Sequence, residues 1–197
     1  MTHRAWIFDL DGTLYRQLPV RLEMAAKLLA HYALRPQRLN ELLLLREYRH
    51  QRERLQSDGE NFARLQSKYG ISPKEIFDEW MIERALPSVR RWRRQKVLAA
   101  IEKHMSEGGI AIVYSDYPVE KKLQALGLQP THAYWSGEPI VDCLKPDVRG
   151  LNNIIAELGL DRAEILYVGD RDDRDGECAR RAGVAYLDID DFARSLP

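Results

Sequence analysis

Asp9 and Asp11 stand two positions apart in the run Ile7-Phe8-Asp9-Leu10-Asp11-Gly12-Thr13-Leu14, where a short apolar segment gives way to a glycine turn. That arrangement suits phosphoryl transfer through an aspartate. Gly12 can take the φ > 0 or close-approach geometry of a turn around a bound anion, and Thr13 adds a hydroxyl and a backbone N–H. Three later places hold matching chemistry. Ser115 follows the apolar run Ile110 to Tyr114, and its hydroxyl and the next backbone N–H suit a phosphate oxygen. Lys145 precedes Pro146 and a helix-like segment, and an ammonium there neutralises a phosphorylated aspartate and the carboxylates around it. Asp170, Asp172, Asp173 and Asp175 follow Val168-Gly169. Four carboxylates in six residues repel one another unless a cation sits among them, and an oxygen-rich loop suits Mg²⁺.

The elements that must position these groups alternate. Apolar strand-like runs occur at Ala5 to Phe8, Ile110 to Tyr114, Ile165 to Val168 and Val184 to Leu187, the later three separated by helix-like segments. This is the rhythm of a parallel sheet, in which ligands gather at the carboxyl ends of the strands. The periodicity predicts helices over Pro118 to Leu126, Val148 to Leu158 and Arg174 to Ala182, with Leu151, Ile154, Ile155 and Leu158 as an inward stripe. From about Leu18 to Arg94 the rhythm breaks into helical periodicity without a convincing strand. There Ser72-Pro73-Lys74-Glu75 is a capping signature, and Tyr48 and Trp80 belong to a core more naturally than to a stacking platform.

The 197 residues suffice for one large domain or a medium domain with an insertion. Thirty basic and thirty acidic residues cancel, which argues against a chain devoted to coating nucleic acid or an anionic membrane. The distribution is uneven: Arg16 to Lys96 carries 18 Lys/Arg and 10 Asp/Glu, a net of +8, and the remainder a net of −8. The run Arg90-Arg91-Trp92-Arg93-Arg94 suits a solvated helix face or a linker better than a nucleic-acid patch. Arg16 and Arg21 follow the first motif closely enough to meet a distal part of the substrate, a surface role being the alternative. The absence of a signal-like or membrane-spanning run leads us to expect a cytoplasmic protein, monomeric or homodimeric. Cys143 and Cys178 have neither a metal-ligand nor a redox spacing, so buried free thiols are expected.

The order and spacing of Asp9-Leu10-Asp11-Gly12-Thr13, Ser115, Lys145-Pro146 and Gly169-Asp170 with Asp175 resemble the phosphatase branch of the haloacid dehalogenase superfamily over the whole chain. The helical insertion resembles that superfamily's cap between its first and second motifs, as in phosphoglycolate phosphatase-like members. The resemblance implies an α/β fold, with a Rossmann-like parallel-sheet core (residues 1–15 and 96–197) and an inserted all-α helical cap (16–95). It implies that Asp9 is the nucleophile and that Asp11 protonates the leaving oxygen and later activates water. Ser115 and Lys145, with Gly12, Thr13 and Asp116 beside them, would hold the phosphoryl group. Asp9, the Asp11 carbonyl, Asp170 and Asp175 would hold Mg²⁺, with Asp173 as the alternate to Asp175. Asp116 stands where many relatives have Asn, which adds a negative charge near the phosphate position. The expected function is Mg²⁺-dependent hydrolysis of a small phosphorylated metabolite. Alternatives are a sugar phosphomutase and a non-catalytic binding protein retaining the fold. A dehalogenase fits Asp11 and the acidic fourth motif less well.

Overall fold

The computed structural model describes residues 3–52 and 58–196. Five parallel strands, β1 (Ala5–Phe8), β2 (Ile110–Ser115), β3 (His132–Trp135), β4 (Ile165–Gly169) and β5 (Ala185–Asp188), form one sheet in the order β3-β2-β1-β4-β5. All four residues of β1 are buried, which explains why that segment shows no polar alternation. Phe8 pairs with Val113 on one side and Val168 on the other, so the chain leaves β1 at Asp9 between the ends of β2 and β4. The Asp9 N–H still bonds the Val168 carbonyl at 3.0 Å.

Two compact units divide the chain: Met1–Gln17 with Val89–Pro197, and Leu18–Ser88. The helices in order are α1 (Gln17–Ala33), α2 (Leu39–Arg52), α3 (Asp58–Tyr69), α4 (Pro73–Phe77), α5 (Leu86–Arg91), α6 (Gln95–Ser106), α7 (Glu120–Leu126), α8 (Arg149–Leu158), α9 (Glu177–Ala182) and α10 (Ile189–Ser195). The larger unit has the α/β Rossmann-like fold. Its core joins Ile7, Ile112, Tyr114 and Tyr167 of the sheet to Leu151, Ile154 and Ile155 of α8 and to Cys178 and Ala179 of α9. The stripe on α8 thus faces inward as its spacing predicts. Gly127, Gly159 and Gly183 end α7, α8 and α9 in the left-handed conformation. Both cysteines are buried and free.

Every regular element among the described residues of the smaller unit is a helix, joined by short turns. Tyr48 and Trp80 are buried there, and the Ser72 hydroxyl accepts the Glu75 N–H to cap α4. Where the chain leaves and re-enters the larger unit, Tyr15 and Arg93 form an antiparallel bridge, flanked by bonds from Arg16 N–H to the Trp92 carbonyl and from Arg94 N–H to the Leu14 carbonyl, each 2.9 Å. Arg94 also pairs with Asp190 at 2.8 Å. The end of the basic run is therefore connecting chain, its backbone bridged to Tyr15 and the Arg94 side chain tied to Asp190. No described helix is long and apolar enough to cross a membrane.

Two features depart from the sequence expectation. The edge strand β3 lies outside the predicted strands, because among its four residues only Tyr134 is buried and His132 interrupts the apolar pattern. The last predicted helix opens instead with a π turn over Asp172–Gly176 before α9 begins.

Candidate active site

The carboxyl ends of β1, β2 and β4 converge on Lys145. Its ammonium lies 2.6 Å from Asp9 Oδ1 and 2.7 Å from Asp175 Oδ1, and 3.3 Å from both the Tyr114 carbonyl and the Tyr167 hydroxyl. Its side chain is only 2% exposed, so these partners replace water. Burial pushes the Lys145 pKa down, but Asp175 and Asp9 outweigh it and hold the ammonium charged well above the usual range. The same burial drives the Asp9 carboxyl well above its usual value, against the pull of Lys145 and with a further push from Asp175, Asp170 and Asp11. Thr13 donates to Asp9 Oδ2 at 3.2 Å.

Asp9, Asp170 and Asp175 each place one carboxylate oxygen within 4.8 Å of the others. Burial and the neighbouring Asp175 raise Asp170 to about 6. Three acids share one lysine, a charge deficit that a divalent cation makes good, and the all-oxygen donors fit a hard ion such as Mg²⁺. Glycines make room for this cluster. Gly12 has φ +106°, and a Cβ there would lie 2.0 Å from Asp170 Oδ2; at Gly169 it would lie 2.4 Å from the Asp175 Cβ. Asp175 is further fixed by the Arg171 N–H at 3.2 Å and the Tyr167 hydroxyl at 3.3 Å. Asp173 stands apart: it is exposed and paired with Arg171 at 2.7 Å.

Asp11 has a different environment. Its Oδ1 accepts from Lys122 at 2.5 Å and from the Tyr15 hydroxyl. Burial raises its pKa, yet the charge and hydrogen bond of Lys122 and the bond from Tyr15 prevail and leave it below the ordinary carboxylate value. Its backbone carbonyl takes a long 3.4 Å contact from Gln17 Nε2. Ser115, the buried last residue of β2, accepts the Tyr117 N–H at 3.1 Å, so its own proton remains for an anionic oxygen. Asp116 accepts the Lys145 backbone N–H at 3.0 Å, while Arg174 donates at 3.4 Å to Asp116 and at 3.3 Å to the Lys145 carbonyl. The extra charge at position 116 is thus matched by a cation, and the pair brackets the Lys145 peptide.

The structure therefore brings Asp9, Thr13, Lys145, Asp170 and Asp175 into one cluster, sets Gly12 against Asp170, and gives Asp11 separate partners. Lys122, Tyr15, Tyr167 and Arg174 were not singled out from sequence. Lys122 sits in Glu120-Lys121-Lys122, which has the appearance of a solvated helix face, and only the fold reveals its burial.

A family model described as haloacid dehalogenase-like hydrolase matches residues 6–189. No curated protein matches the sequence significantly. Among solved structures, a 2-haloacid dehalogenase of Pseudomonas syringae pv. tomato DC3000 is 19% identical with a TM-score of 0.64, covering 93% of this chain and 85% of its own. A HAD phosphatase of Thermococcus onnurineus is 18% identical with a TM-score of 0.55, covering 93% and 84%. YfnB of Bacillus subtilis, assigned to the HAD hydrolases and solved bound to magnesium, is 14% identical with a TM-score of 0.64, covering 94% and 88%. At such identities these structures share the fold, and their differing activities do not transfer. The match to the family model spans both units and every motif residue described above, and the chain belongs to the haloacid dehalogenase-like hydrolases.

Proposed function

We propose that this hydrolase is a Mg²⁺-dependent phosphatase that cleaves a small phosphate monoester through an aspartyl phosphate on Asp9. The observation that carries the reading is the three-carboxylate cluster served by a single lysine. A phosphate dianion entering beside Asp9, Asp170 and Asp175 meets net repulsion that a divalent cation relieves. Displacing a halide from carbon has no use for such a cluster.

In this reading Asp9, the Asp11 carbonyl, Asp170 and Asp175 hold the ion, which neutralises phosphoryl charge when bound. Lys145 holds Asp9 in place and shares in binding the phosphoryl oxygens, with the Ser115 hydroxyl and the backbone after Gly12 completing the grip. Asp9 attacks phosphorus as the ester oxygen leaves, and Asp11 supplies that oxygen with a proton. Asp11 then takes a proton from the water that cleaves the acyl phosphate. An incoming phosphate's negative charge opposes the pull of Lys122 and pushes Asp11 back toward its protonated form. We assign substrate selection to the inserted helical unit, acting as the cap.

Phosphate release from a panel led by phosphoglycolate, nucleoside monophosphates, sugar phosphates and p-nitrophenyl phosphate tests this. Turnover should require Mg²⁺, stop with chelator, and fall by at least ~10³-fold in Asp9→Asn. Undiminished turnover in that variant would remove Asp9 as nucleophile. Conversion of hexose phosphates without phosphate release would identify a mutase instead.

A further inference from the structure

Lys122 lies on α7 beside Leu123 and Leu126, all three buried, where a helix normally presents apolar side chains. Its side chain is 7% exposed, and its ammonium meets Asp11 Oδ1 at 2.5 Å and the face of Tyr117 at 5.5 Å from the ring centre. The same Oδ1 accepts the Tyr15 hydroxyl. Tyr15 is itself anchored by the bridge to Arg93 and the backbone bonds on either side of it. Two donors from separate, well-fixed elements thus converge on one oxygen of one carboxylate. A carboxylate on a turn after a strand has free rotation about its Cα–Cβ and Cβ–Cγ bonds unless something removes it. With Oδ1 committed to two donors, proton exchange falls to Oδ2.

We propose that Lys122, assisted by Tyr15, is a positioning residue that fixes the Asp11 carboxyl so that Oδ2 serves the leaving group. This inference rests on the phosphatase reading above. It differs from a purely structural ion pair in what it does to the chemistry. Loss of the clamp weakens proton delivery to the departing oxygen, and leaving groups that most need a proton suffer most.

The test is kcat/KM across a series of substituted phenyl phosphates, which reports the step in which the ester oxygen leaves, for wild type, Lys122→Met, Lys122→Arg and Tyr15→Phe. In Lys122→Met, phenyl phosphate is expected to lose roughly tenfold more than p-nitrophenyl phosphate, so the dependence on leaving-group pKa steepens. Lys122→Arg should recover part of the wild-type slope. If Lys122→Met fails to fold, Tyr15→Phe carries the same test, with a differential loss of about threefold. Equal loss for all esters in the folded variants overturns the positioning role. A wild type that hydrolyses none of the esters with Mg²⁺ present removes the phosphatase reading and this inference together, a result distinct from a flat effect of the substitution.

Discussion

Lys145 decides the charge balance of the site, since its one ammonium serves Asp9 and Asp175 at the same time. Removing it leaves two buried carboxylates uncompensated, a change that costs about 3 kcal/mol where both are ionised. Lys145→Met is therefore expected to lose about that much in urea unfolding of the metal-free protein at pH 7. The pH dependence has a definite sign. Asp9 titrates above its unfolded value, so the folded state binds more protons and the site opposes folding increasingly as pH rises through that range. The deficit of Lys145→Met should accordingly shrink as pH is lowered toward 5. An undiminished deficit at low pH would place its cause in packing rather than charge. The acids, Ser115 and Lys145 were legible because each stands at a strand end or in a short motif. Lys122 and Tyr15 were not, since nothing local distinguishes a lysine that a fold buries against Asp11 from one in solvent.

At the scale of elements, the site depends on strands ending at matched heights. The β1 register against β2 and β4 puts Asp9 level with the turn that carries Asp170, and Gly12 allows the first loop to close on it. Gly12→Ala places a methyl group on Asp170 and forces a positive φ on alanine, so a loss of about 2 kcal/mol in stability is expected. The stabilisation by Mg²⁺ in a melting experiment should also disappear, because Asp170 is displaced. A normal Mg²⁺ response in that variant would take Asp170 out of the ion's donor set. Four strands were readable as apolar runs, and the glycine-stopped helices α7 and α8 ended where Gly127 and Gly159 indicated. The edge strand β3 escaped because half-buried His132, Ala133 and Trp135 dilute its signal. The π turn at Asp172–Gly176 escaped because its shape is set by the Arg171 carbonyl accepting the Asp175 and Gly176 N–H groups, and such a register shift has no compositional signature.

Over the whole molecule, charge is close to balanced within each unit: Leu18–Ser88 carries 12 Lys/Arg and 10 Asp/Glu, a net of +2, and the α/β unit a net of −2, the basic excess of Arg16 to Lys96 lying mostly in the run Arg90 to Lys96. The local field matters more: a phosphate ester approaching the cluster of Asp9, Asp170 and Asp175 is repelled unless Lys145 and a divalent cation offset the carboxylates, so affinity for substrate and for metal should be linked. The same fold carries a dehalogenase and a phosphatase among its structural relatives, and what separates them is the site rather than the sheet. The central claim concerns one atom pair, Asp9 and phosphorus. Acid quenching of the enzyme during turnover with Mg²⁺, followed by peptide mass mapping, tests it directly: one phosphoryl group is predicted on the peptide carrying Asp9, and none in Asp9→Asn. A phosphoryl group trapped on any other residue, with Asp9 unmodified, would contradict it.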